Sequence, residues 1–152
     1  MPNNAVLSGP KVVNSAPGVN STIVAVTLAE LNAGKNIIPP FGTNKLRVTG
    51  TTLTFNGAFT TATDIRVSTT ESTPSDLMVV AIAGATDNAR VDETDDTDAN
   101  VTITTDNYNE ALAAGAGIQL RKTGSNAAGG TDIEVQIDWI LDSGLNAVEV
   151  LN

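Results

Sequence analysis

The chain has no cysteine and no histidine. Without cysteine there is no disulfide, no thiolate nucleophile and no thiolate metal site. Without histidine, serine chemistry loses its usual neighbouring base. Four lysines keep a Ser-Lys pair formally open, but nothing in the pattern marks one. Aromatic residues make up only 3% of the chain, namely Trp139, Tyr108, Phe41, Phe55 and Phe59. Abundant carboxylates would allow a two-carboxylate glycosidase, yet few rings are left to floor a sugar cleft. The core must therefore come from Val, Ile, Leu and Ala, and stability is expected to lean on burial between subunits. Basic residues are few as well: 8, against 17 acidic ones, for a net charge of -9. That balance argues against nucleic acid, whose phosphates are met by Lys and Arg, and against anionic membrane surfaces. No apolar run approaches the ~18 residues of a membrane span. The N-terminus, Met1-Pro2-Asn3-Asn4-Ala5-Val6-Leu7, has neither the basic nor the long apolar region of a secretion signal.

What the chain does have is alternation. Apolar residues alternate with Thr, Asn or an acid through residues 63–68, 100–104 and 131–140. Period-2 patterning of this kind gives strands with one buried face. At 152 residues, one domain with a substantial core is the simplest reading. We expect an all-β chain, a β-sandwich or small barrel that is jelly-roll-like in class, with one or two short helical turns.

Three regions are expected. Residues 1–21 read as an extended arm, broken by Pro2, Gly9-Pro10 and Pro17-Gly18. Its apolar residues are Val6, Leu7, Val12 and Val13, and it reads either as a floppy terminus or as an arm that orders on a neighbouring subunit. Residues 22–143 hold the strands. Residues 144–152 form a tail whose Leu145, Val148, Val150 and Leu151 suggest docking on another surface.

Within the domain, residues 22–28 are a strand, followed by one helical turn stopped by Gly34. Residues 44–55 read as one long strand, in which Leu46 and Val48 share a parity that Leu53 and Phe55 break. A bulge at Gly50 would produce that change. Further strands are expected at 63–69 and 76–83, the latter apolar enough to lie centrally or in an interface. Residues 106–114 have helical character, with Asp106 as N-cap. The last two strands, 117–122 and 131–141, are expected to pair as a hairpin through the Gly-rich stretch 123–130.

Four features could carry function. The acidic run 92–98 has an EF-hand-like start at Asp96, Asp98 and Asn100. However, Val101 stands where that loop needs Gly, and Asn107 where it needs the bidentate Glu, so a solvated loop tip is the better reading. Gly115-Ala116-Gly117 and Gly129-Gly130 read as turn glycines, not phosphate loops. Trp139 shares the parity of Ile133, Val135 and Ile137 and is expected in the core. Arg121-Lys122, the only adjacent basic pair, could meet a partner's carboxylate or simply guard a sheet edge. No catalytic residue, cofactor or metal is implied.

Residues 27–39 (Thr-Leu-Ala-Glu-Leu-Asn-Ala-Gly-Lys-Asn-Ile-Ile-Pro) resemble an opening found in head decoration, or cement, proteins of tailed bacteriophages. Residues 117–124, followed by a small-residue loop and Asp132-Ile133-Glu134-Val135, are similar to endings in the same group. The resemblance implies a compact β-rich module, often a homotrimer, that sits outside an expanded capsid. There it would clamp major capsid protein subunits against DNA pressure, with no catalytic residues. It implies a virion protein made in the host cytoplasm, with the capsid protein and itself as partners. Expected contact residues are Val6, Leu7, Val12, Val13, Arg121, Lys122, Leu145, Val148 and Val150. A receptor- or carbohydrate-binding module of a phage fibre or other appendage is the alternative.

Overall fold

The computed structural model describes residues 11–16 and 19–142, apart from 41 and 44, and of 11–16 the backbone alone. Among these residues lie ten strands: β1 (Lys11–Ala16), β2 (Val19–Thr27), β3 (Lys35–Ile38), β4 (Lys45–Asn56), β5 (Phe59–Thr69), β6 (Asp76–Ala81), β7 (Arg90–Asp92), β8 (Val101–Ile103), β9 (Ile118–Gly129) and β10 (Asp132–Asp142). One short helix, α1 (Leu28–Ala33), and 3-10 turns at Ile82–Gly84 and Thr105–Asn107 complete the described elements. The strands form two antiparallel sheets, ordered β1-β2-β10-β4-β7 and β3-β9-β5-β6-β8. The sheets pack face to face as a β-sandwich.

Set β1 and β8 aside, and β2-β10-β4-β7 faces β3-β9-β5-β6. Consecutive strands cross from sheet to sheet at nearly every connection, which is the jelly-roll order. Alternation explains the core. Ile65 and Val67 of β5, Leu120 of β9, Leu53 and Phe55 of β4, and Ile133, Val135 and Ile137 of β10 are all fully buried. Each such side chain contributes roughly 1.5–3 kcal/mol by leaving water. The few rings are used economically: Phe55 and Phe59 meet edge-on at 5.9 Å.

The parity break in β4 is real. Asp138 pairs with Gly50 and Trp139 with Val48, so Thr49 is the extra residue of a bulge. The helical turn is also where alternation stops. Thr27 accepts a hydrogen bond from the Glu30 amide, Glu30 accepts one from the Thr27 amide, and Gly34 closes the turn at φ +82°. This reciprocal cap satisfies amides that six residues cannot pair internally.

Several expectations are corrected. The strand expected at 63–69 begins at Phe59, and the one expected at 76–83 ends at Ala81. The helix expected at 106–114 shrinks to the turn Thr105–Asn107, with Asp106 inside it rather than capping it. Residues beyond it run along β4 instead. The Asn109 amide donates to Val48, and the Leu112 amide to Leu46. β7 pairs only with residues 52–54 of β4, and the exposed remainder of that edge recruits the segment.

The expected terminal hairpin does not exist either. β9 pairs with β3 and β5, whereas β10 lies between β2 and β4 in the other sheet. Residues 123–129 are strand, not loop. Their small side chains permit close approach to β5: a Cβ on Gly124 would stand 2.3 Å from the Thr63 hydroxyl. Finally, Lys11–Ala16 of the expected arm pairs with β2 of its own chain, and β2 itself starts at Val19. The sandwich thus begins before residue 22.

Candidate functional site

The most organised polar group among the described residues lies on the outer face of the second sheet, across β6, β5 and β9. Alternation turns Asp64, Arg66 and Ser68 of β5 to the face opposite Ile65 and Val67, where Ser68 and Asp64 are nonetheless buried within the polar group. Register places Arg66 directly across from Arg121, and Asp64 across from Thr123. Two like charges facing each other across a ladder repel. Asp76 answers this from β6. A register shift between Val67 and Ser68 sets Asp76 beside Ser68.

The Asp76 carboxylate accepts from Arg66 Nη1 at 2.6 Å, from Arg121 Nη2 at 2.8 Å and from the Ser68 hydroxyl at 2.6 Å. Asp64 binds Arg66 in a fork, 2.7 Å to Nε and 2.8 Å to Nη2, and accepts from the Thr123 hydroxyl at 2.6 Å. Arg121 Nε also donates to Ser68 at 2.9 Å. The Arg66–Asp64 fork is the strong form of ion pair.

The charges answer one another. The hydrogen bond from Arg66 holds the Asp64 carboxyl below its usual value, against the opposing pull of burial. Burial raises the Asp76 carboxyl, but Ser68, Arg121 and Arg66 together outweigh it and leave it lowered. Asp64 in turn holds Arg66 more firmly protonated than usual. Both carboxylates are held ionised near neutrality, and each also accepts from a hydroxyl, Asp76 from Ser68 and Asp64 from Thr123. The cluster is a charge-balanced plate that ties three strands together through its ion pairs.

The basic pair lies on β9 just past the three residues that pair with β3, and the Arg121 guanidinium is paired with Asp76 of its own chain. Lys122 donates to the Gly124 carbonyl at 3.0 Å. Among the other expected contact residues, Val12 and Val13 lie in β1, paired with Thr22 and Ser21. Val6, Leu7, Leu145, Val148 and Val150 lie outside the described residues. Trp139 packs half-buried against the core, its ring N–H donating to Thr22 at 2.9 Å.

In the acidic segment, carboxylates build turns. Asp92 accepts from the Thr94 hydroxyl and amide, Asp95 from the Asp92 amide, and Asp98 from the Asn100 amide. Thr94 accordingly keeps the Asp92 carboxyl low. Among the described residues, no three His, Cys, Asp or Glu side chains converge as metal ligands.

A second polar group escaped notice in the sequence. Glu93 accepts from the Thr51 amide at 2.9 Å, and Asp138 accepts from Ser21 and Gln136. One oxygen of each carboxylate lies 3.2 Å from where a Cβ on Gly50 would be. Beside them, Tyr108 and Thr51 share a buried hydrogen bond of 2.7 Å, and burial pushes the phenol up. Residues 50, 93 and 138 belong to three strands or strand ends. Only a glycine inside a strand hinted that something approached there.

The fold defines a class, a jelly-roll β-sandwich with an ion-paired outer face. Beyond that class, no protein-family model, curated protein or solved structure matches the chain.

Proposed function

We propose that this chain is a non-enzymatic structural protein of a phage virion. It binds the outside of the capsid and braces the shell against the pressure of packaged DNA. One observation carries the reading. The two segments that resemble head decoration proteins are far apart in sequence and adjacent in the fold. β3 pairs with β9, Asn36 opposite Gln119 and Ile38 opposite Ile118. From α1, the Asn32 side chain bonds the Ala127 backbone twice, at 3.0 Å and 2.7 Å. Asp132 lies opposite Thr27. A resemblance that falls on one contiguous corner is what a shared structural unit produces.

Two further features support it. Jelly rolls serve as viral capsid domains, although they also serve as lectins, so the fold favours the reading without deciding it. The plate of Asp64, Arg66, Asp76 and Arg121 ties three strands of one sheet together, as a load-resisting role asks. In this role the protein acts as a homotrimer on the major capsid protein, in the virion, after synthesis in the host cytoplasm. Many weak contacts per subunit sum through multivalency, because a trimer held at three sites leaves far more slowly than one contact would.

Particles lacking the protein should assemble and package, yet lose DNA sooner on heating or chelation. Adding the purified protein to expanded shells should restore resistance, while unexpanded shells bind it poorly. If particles without it are equally stable but fail to adsorb to cells, the receptor-binding alternative replaces this proposal.

A further inference from the structure

Asn56-Gly57 is the only Asn-Gly pair in the chain. Such a pair is chemically unstable, because glycine leaves its amide nitrogen unhindered for attack on the asparagine side chain. The Gly57 nitrogen gives up its proton and bonds to Asn56 Cγ. The Cγ–Nδ2 bond breaks, and ammonia leaves with that proton. Water then opens the succinimide ring, at either carbonyl, to aspartate or isoaspartate. Water enters, ammonia departs, and nothing is oxidised or reduced.

Asn56 is exposed, so water reaches it freely. Yet the fold ties down every part the reaction must move. The Gly57 amide donates to Asp87 at 2.8 Å. The Asn56 side-chain amide donates to Asp132 at 2.6 Å. The Asn56 carbonyl accepts from the Thr131 amide at 2.7 Å. The peptide plane between residues 56 and 57 is thus gripped on both edges, and the attacking and attacked groups are held by different carboxylates. To bring the nitrogen onto Cγ the plane must turn and release the bonds on both its edges. The negative charge of Asp87 also disfavours the amide anion that attacks.

The position is not incidental. Residues 57–58 and 130–131 are the two crossovers that carry β4 into β5 and β9 into β10, and here they touch. A Cβ on Gly57 would lie 2.9 Å from the Gly130 Cα. An isoaspartate would add a backbone atom where there is no slack.

We infer that Asn56-Gly57 is a latent deamidation site, kept closed by Asp87, Asp132 and Thr131, whose conversion reports opening of the paired sheet-to-sheet crossovers. The inference stands independently of the functional proposal. It is tested by incubating the full chain at mildly alkaline pH, folded or unfolded in urea, and mapping residue 56 by peptide mass spectrometry with isoaspartate detection. The folded protein should convert more than about tenfold more slowly than the unfolded one, and Asp87→Ala or Asp132→Ala should each speed conversion by about tenfold, the rate equivalent of one charge-assisted hydrogen bond. Asp87→Asn, which keeps an acceptor but no charge, should fall between. Equal rates in the folded and unfolded wild-type chain would overturn the inference without recourse to any variant. So would folded Asp87→Ala and Asp132→Ala proteins that convert no faster than wild type.

Discussion

Replacing Asp76 by alanine removes the carboxylate that separates two opposed guanidinium groups. Three donors lose their acceptor at once: Arg66 Nη1, Arg121 Nη2 and the Ser68 hydroxyl. Ser68 keeps its bond to Arg121 Nε, and Arg66 keeps its fork on Asp64. The net loss is therefore less than three full interactions. The side chains of Asp76, Arg66 and Arg121 are 21%, 27% and 24% exposed. Fully exposed pairs contribute ~0–1 kcal/mol, and breaking a buried pair costs ~3–5 kcal/mol. Exposure in the twenties places this pair between those limits, so we expect a loss of about 2–3 kcal/mol. For a domain of this size that lowers Tm by about 5–10 °C. Denaturant unfolding should show a lower midpoint with an unchanged slope, because the same surface is exposed. Removing Arg121 as well, as Asp76→Ala with Arg121→Met, should recover part of the loss by ending the like-charge opposition. A loss under about 0.5 kcal/mol for Asp76→Ala, the level of an ordinary surface change, would mean that the carboxylate does not hold the two guanidinium groups together.

Two further outcomes follow from the same geometry. Asp64 and Asp76 have folded pKa values below the ordinary aspartate value of 3.8. The unfolded chain therefore takes up their protons first on acidification, so their stabilisation is complete above that value and drains away as pH falls below it. Thermal melts at decreasing pH should show this loss, and Asp76→Ala should flatten it. Separately, Tyr108→Phe leaves the Thr51 hydroxyl, only 1% exposed, without its phenol partner. That should cost about 1–2 kcal/mol by denaturant melt, and adding Thr51→Val should return most of it, since removing both partners is nearly neutral.

Alternation along single strands was enough to read the two-faced sheets, the buried sides of β5 and β10, and the bulge beside Gly50. These are properties of one strand and its pleat, so they are written locally. The capped turn before Gly34 was legible for the same reason, since a cap needs only residues three apart. Which strand lies beside which is not local. The Gly-rich, small-residue stretch 123–130 reads as a hairpin loop, yet β9 runs on through it to Gly129 and the chain then crosses between sheets at residues 130–131. The crossing occurs because β10 finds partners on both sides, in β2 and β4, and buries Ile133, Val135 and Ile137 against the facing sheet. Residues 106–114 carry helical residue types, yet the unpaired edge of β4 draws them into an extended path. The ion-paired plate was illegible for a related reason. Asp64, Arg66, Asp76 and Arg121 come together only through two registers and a bulge. The convergence of Asp87 and Asp132 on Asn56-Gly57 likewise requires three connections to meet, β4 to β5, β6 to β7 and β9 to β10. Strand faces are written in local alternation, whereas strand neighbours are selected by the burial and hydrogen bonding of the whole sandwich.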